Sequence, residues 1–222
     1  PRAYLYVSKK VRLGKSNKYR LGPFASLPKD LEANWVLDVG ANVGDVAEAA
    51  LISYRDCNVI CFEPVQDTYC LLKKRLSKYR ERVELHRVAL SSCTGEGEIN
   101  LTTFSGANSM SEQATFHKKC NPHVQEIGKE KIKLVRLDDF IEKLPNVRFD
   151  IMKIDVEGHE LEVLKGGFQF ICSKVDFVII EISLMRDHSL QDQSVFEIFA
   201  LMKKSGFVLH NAIDFHKTND GT

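Results

Sequence analysis

The stretch WVLDVGANVGDVAEAALISYR, residues 35–55, decides how the rest of the chain is read. WVLDV is a short apolar run broken only by Asp38, the pattern of a strand covered on both faces. Gly40 and Gly44 mark a turn, and from Val46 the apolar residues return at helical spacing. A strand, a glycine turn and a helix form the opening unit of a parallel α/β sheet.

Outward from that unit the alternation continues. NVICFEP (58–64) reads as a second strand, TYCLLKKRLSKYR (68–80) as a second helix and RVELHRVAL (82–90) as a third strand. GEGEINLTTF (95–104) suits an extra strand, and SGANSMSEQATFHKKCNPH (105–123) a long loop. KIKLVRL is expected as a strand and DDFIEKLP as a short helix with Asp138 or Asp139 near its N-cap. DIMKIDV, a helix ending on Gly166 and Gly167, the strand VDFVIIEI, the helix QSVFEIFALMKKSG and a closing strand or hairpin complete the order. Right-handed βαβ units of this kind predict a doubly wound, mostly parallel sheet with helices on both faces. The face Phe196, Phe199, Leu201 and Met202 is expected to be helix packing.

Residues 1–34 read as a basic N-terminal arm and 35–222 as the folded domain. KKVRLGKSNKYR (9–20) is half basic. It suits a solvated arm or a cover over an anionic ligand.

The whole chain of 222 residues carries a net charge of only +1, which disfavours a polyanionic partner. Its six cysteines show no CxxC pair and no zinc spacing, so a reducing, cytoplasmic setting is expected. No apolar run approaches the roughly 20 residues of a membrane span. The chain begins at Pro1 with no signal peptide, as a piece of a longer protein would. Nothing in the sequence fixes the oligomeric state.

Three segments carry chemistry. In DVGANVGD (38–45) the dinucleotide spacing GxGxxG is broken, because Asn42 and Asp45 stand where glycines would be. Asp45 at the helix start would repel a pyrophosphate. Asp38 two places before Gly40 suits a ligand without phosphates and with a cationic amine, such as S-adenosylmethionine. Glu63, at the tip of the second strand, is placed to accept both hydroxyls of a ribose. The third segment is DIMKIDVEGHE (150–160). Lys153 and Asp155 share one face of a strand, and Asp155, Glu157 and His159 cluster at its carboxyl end, where open parallel sheets bind ligands. Glu181, at the end of VDFVIIEI, points to the same edge and suits either acceptor hydroxyls or the cap of a neighbouring helix.

Together VLDVGANVGD, CFEP, RVALS, NSMSE, VRLDDFI, KIDVEGHELEVLKG and VIIEI resemble the FkbM-type S-adenosylmethionine-dependent methyltransferases, in that family's order and over about 35 to 182. The resemblance implies a Rossmann-like methyltransferase fold with a seven-strand sheet, and methylation of hydroxyls on sugars and natural products. It further implies that Gly40, Ala41 and Asn42 hold the methionine part, that Glu63 holds the ribose, and that Ala89 and Ser109 lie by the adenine or the sulfonium.

For the chemistry, an alcohol needs a positioned base. His159 is expected as that base, with Asp155 near the amine or sulfonium, Glu157 orienting the acceptor, and Lys153 and Glu181 contributing to acceptor binding. A metal held by Asp155, Glu157 and His159 is not expected, because three ligands on one tight turn rarely converge. Two other readings stay open. One is an RNA ribose 2'-O-methyltransferase using the arm 9–20, KKRLSKYRER (73–82) and Lys153 with Asp155; the other is a module that binds the cofactor without chemistry.

Overall fold

The computed structural model describes residues 2–8, 24, 27–28, 31–110, 124–183 and 191–213. The basic run 9–20, Cys120, and His117, His123, His188 and His216 lie outside them.

In chain order the elements are β1 (Arg2–Ser8), β2 (Trp35–Val39), α1 (Asp45–Ser53), β3 (Asn58–Phe62), α2 (Gln66–Arg75), β4 (Val83–His86), β5 (Ala89–Leu90), β6 (Gly95–Thr102) and β7 (Glu126–Val135). There follow α3 (Leu137–Phe140), β8 (Phe149–Ile154), α4 (Glu160–Gly166), α5 (Phe168–Lys174), β9 (Val175–Ser183), α6 (Gln191–Lys204) and β10 (Val208–Ile213).

The main sheet runs β10-β1-β9-β8-β2-β3-β4. Its centre is the parallel set β9-β8-β2-β3-β4. From β2 the chain winds outward through β3 to β4, and from β8 it winds the other way to β9. The order therefore reverses between β2 and β8, and the crevice beyond their carboxyl ends is where such sheets bind ligands.

Alternation along the strands sends neighbours to opposite faces. Val36, Ile151 and Ile179 pack with α1 and α2, whereas Leu37, Met152 and Ile180 pack with α4, α5 and α6. That is why these strands read as continuous apolar runs. Asp150 also serves the fold: its carboxylate accepts the Asn34 and Trp35 N–H groups at 2.8 and 3.1 Å and fixes the start of β2.

Four expectations need correction. Residues 1–34 are not all an arm: β1 lies between β9 and β10, antiparallel to both, and Phe24, Leu27, Leu31 and Ala33 are buried in the core. The segments 82–104 and 126–135 do not all join the main sheet, since β5, β7 and β6 form a separate three-stranded sheet. Asp138 does not cap its own helix. It accepts the Gln169 and Phe170 N–H groups and caps α5 instead. Phe196 is 73% exposed, so it is not part of the packing face that Phe199 and Met202 form.

Candidate functional site

The turn after β2 is shaped by close backbone approach. Gly40 has φ 75°, and a Cβ there would stand 1.9 Å from the Asp155 carbonyl oxygen, so glycine lets two strand ends touch. The Gly40 and Ala41 N–H groups both donate to the Phe62 carbonyl at 3.0 Å. Asn42 follows at φ 49°, a costly conformation for a residue with a side chain.

Glu63 stands just past β3, and its carboxylate closes on this turn. One oxygen accepts the Asn42 N–H at 2.9 Å and the other accepts the Val65 N–H at 3.0 Å. Burial pushes its pKa up to about 7 in spite of those bonds. The Asn42 Oδ1 is buried at the same place with no hydrogen-bond donor.

The turn after β8 is built from acids. Lys153 lies beneath it, nearly inaccessible, and donates from Nζ to the Gly40 carbonyl at 2.8 Å. The same nitrogen is 3.3 Å from Asp38 Oδ1 and 3.5 Å from Asp155 Oδ2. Asp38 and Lys153 are register partners on adjacent strands, so the buried charge of one answers the other across the sheet. Burial still pushes the Asp38 carboxyl up against the pull of Lys153.

Beyond Asp155 the chain turns through Glu157 at φ 52° and Gly158 at φ 95°. Glu160 reaches back to hold this bend. Its Oε1 accepts the Val156 and Gly158 N–H groups, each at 3.1 Å. Asp155, Glu157 and Glu181 bring one carboxylate oxygen each within 4.8 Å of one another, a spacing able to hold a cation.

These groups face one cavity of about 350 Å³, within the usual range for small-ligand sites. Gly40, Ala41, Asn42, Glu63 and Ala89 line it, together with Lys153, Asp155, Glu157 and Glu181.

Three expected site residues are not among the lining. Asp38 is fully buried against Lys153, its register partner on the neighbouring strand. Ser109 is buried, and its hydroxyl donates to the Glu157 carbonyl at 2.6 Å, so it holds the acidic turn in place. His159 is the residue before α4, and its Nε2 lies 3.0 Å from Ser91 Oγ. Burial pushes the His159 pKa down. The acids whose spacing could hold a cation are Asp155, Glu157 and Glu181, a set drawn from two strands and without His159. Sequence reasoning missed Glu160 as the brace of the turn, although its place three residues after Glu157 was visible. It also missed Phe104 at the cavity mouth, which no local pattern singles out.

A family model described as the methyltransferase FkbM domain matches residues 38–209. The hexuronic acid methyltransferase AglP of Haloferax volcanii is 34% identical over 145 residues, 65% of this chain and 54% of that protein. The chain thus spans about half the length of that relative. The 2-O-methyltransferase NoeI of Sinorhizobium fredii is 24% identical over 154 residues, covering 67% of this chain and 63% of NoeI. A crystal structure of an FkbM methyltransferase from Methylobacillus flagellatus superposes with a TM-score of 0.51 at 18% identity, over 83% of this chain and 42% of that one, and so shares the fold.

Proposed function

Because the chain belongs to the FkbM methyltransferase family, we propose that it transfers a methyl group from S-adenosylmethionine to a hydroxyl of a saccharide. The observation that carries this reading is the union, in one cavity, of the Gly40–Asn42 turn, the Glu63 carboxylate and the acidic trio. The relatives named for hexuronic acid and 2-O-methylation support a sugar acceptor.

The residues fit the cofactor. Asn42 Oδ1, a buried acceptor lacking a donor, suits a ligand N–H or O–H. Glu63 keeps lone pairs for ribose hydroxyls after its two backbone bonds. The cofactor, when bound, supplies an electrophilic methyl carbon on a cationic sulfur. Gly40, Ala41 and Asn42 hold its methionine end, and Ala89 borders the nucleoside. Asp155, 3.5 Å from the Lys153 ammonium, faces the cationic centre.

Proton removal falls to a carboxylate. His159 is turned to Ser91, outside the lining, so the base is reassigned from His159 to Glu157. Asn42 and Glu157 are the non-glycine residues at positive φ among the described residues, and both line the cavity. Strained backbone of this sort concentrates at working sites. Glu157 accepts the acceptor's proton, and Glu181 orients its hydroxyls. Alignment of oxygen, carbon and sulfur supplies the rest of the rate.

Glu157→Gln is expected to lower kcat by roughly 10²–10⁴-fold while leaving the affinity for S-adenosylhomocysteine unchanged. A variant with wild-type turnover would return the base to another group.

An RNA acceptor is the weaker reading. Within 73–82, Arg75 pairs with Asp45 and Glu48, Lys78 pairs with Glu48, and Arg82 donates to the Arg55 carbonyl, so half of the basic residues of this run are engaged within the fold. Among the described residues Cys57, Cys61, Cys70 and Cys93 are free thiols, which favours a reducing compartment, and we place the protein in the cytoplasm.

A further inference from the structure

The methyl-transfer reading leaves Phe104 without a task. Phe104 lines the cavity and is nevertheless 62% exposed. A large apolar ring left to water on the wall of a ligand-sized cavity is available for ligand contact.

The ring's backbone is held. The Thr102 hydroxyl and the Ala107 N–H both donate to the Phe104 carbonyl, at 2.6 and 2.9 Å. A Cβ at Gly106 would stand 2.8 Å from the ring edge and 3.5 Å from Asn42 Nδ2. Glycine therefore lets the ring lie against its own turn, and lets that turn lie against the cofactor side. At its far end the same segment is moored to the acidic turn through Ser109 Oγ and the Glu157 carbonyl, at 2.6 Å. The segment 104–109 thus spans from Asn42 to Glu157, the two sides that donor and acceptor would occupy.

A fixed aromatic face beside carboxylates suits one chemistry in particular. One face of a pyranose ring presents axial C–H bonds, which meet the negative face of an aromatic ring. Its hydroxyls project from the rim, where carboxylate oxygens accept them. We propose that Phe104 is the platform on which a pyranose acceptor stacks, with hydroxyls of that ring on Glu157 and Glu181. This assignment rests on the cavity being the methyl-transfer site. The donor-side residues Gly40, Asn42 and Glu63 bind independently of the platform.

The test is an NMR titration of the protein saturated with S-adenosylhomocysteine, using methyl glucopyranoside, methyl galactopyranoside and methyl mannopyranoside as probes. The wild type and Phe104→Trp bind at least one of the three through ring C–H protons. Phe104→Ala binds that sugar roughly tenfold more weakly and S-adenosylhomocysteine equally well. Equal sugar affinity in Phe104→Ala overturns the assignment, as does a wild type that contacts none of the three sugars. A wild type that does not bind S-adenosylhomocysteine removes the methyl-transfer reading itself, a distinct result from loss of the platform.

Discussion

The turn 40–44 and the turn 155–159 leave adjacent parallel strands side by side, and each bends through a non-glycine residue at positive φ, Asn42 at 49° and Glu157 at 52°. The backbones are alike, but the side chains are not. The first turn, Gly40 to Gly44, carries no acid of its own and borrows a carboxylate, Glu63, from just past the next strand. The second supplies its own acids and meets a further one from β9, Glu181. One backbone device therefore yields a half suited to a cationic, nucleoside-bearing donor and a half suited to a hydroxylated acceptor. Lys153 joins them, bonding the carbonyl of one turn and facing the carboxylate of the other.

The largest effect is expected from cutting that joint. Lys153→Met leaves Asp38 buried without its cation, and removing one partner of a buried pair costs about 3–5 kcal/mol. Urea denaturation should show this loss, and adding Asp38→Asn to the same chain should recover part of it. If Lys153→Met is as stable as the wild type, the two turns are not held together by this pair.

Next in size is the pH response of the first turn. The folded pKa of Glu63, about 7, stands above its ordinary value of 4.5. Between those values the folded state keeps a proton that the unfolded chain has released. The contribution of Glu63 to stability is therefore greatest below pH 4.5, falls as pH rises to about 7, and is flat beyond. The difference across the window is about 3 kcal/mol. Glu63→Gln should lack this slope when unfolding is measured across it, and an unchanged slope would assign it to other groups.

The smallest effect is expected at His159. Loss of its contact with Ser91 should cost about 1 kcal/mol of stability. Turnover of His159→Ala should stay within about tenfold of wild type, short of the loss that removal of a base brings. A drop of a thousandfold would restore His159 to the chemistry and break the division between the two turns.

Much of this comparison was legible in the sequence, because it depends on neighbours along the chain. DVGANVG declared its turn through glycine, Glu63 declared itself by following an apolar strand, and the acids after Ile154 gave away the crevice. The misreadings share a physical cause, since each depends on neighbours across the sheet. Asp38 faces Lys153 through strand register, and this removes it from the ligand. His159 finds Ser91 on a distant segment. Strand β1 pairs with β9 and β10, far along the chain, and no periodicity in residues 1–34 announced it. The separate sheet β5-β7-β6, in which the chain between β6 and β7 carries Phe104, was hidden for the same reason.

The account turns on the tips of β2, β3 and β8 enclosing a single adenosyl site. Calorimetric titration of S-adenosylhomocysteine into the wild type, Glu63→Ala and Glu157→Gln tests this most directly. The prediction is one site per chain in the wild type, the same site intact in Glu157→Gln, and its loss in Glu63→Ala. A wild type that takes up no S-adenosylhomocysteine, or a Glu63→Ala variant that binds it as tightly, would contradict it.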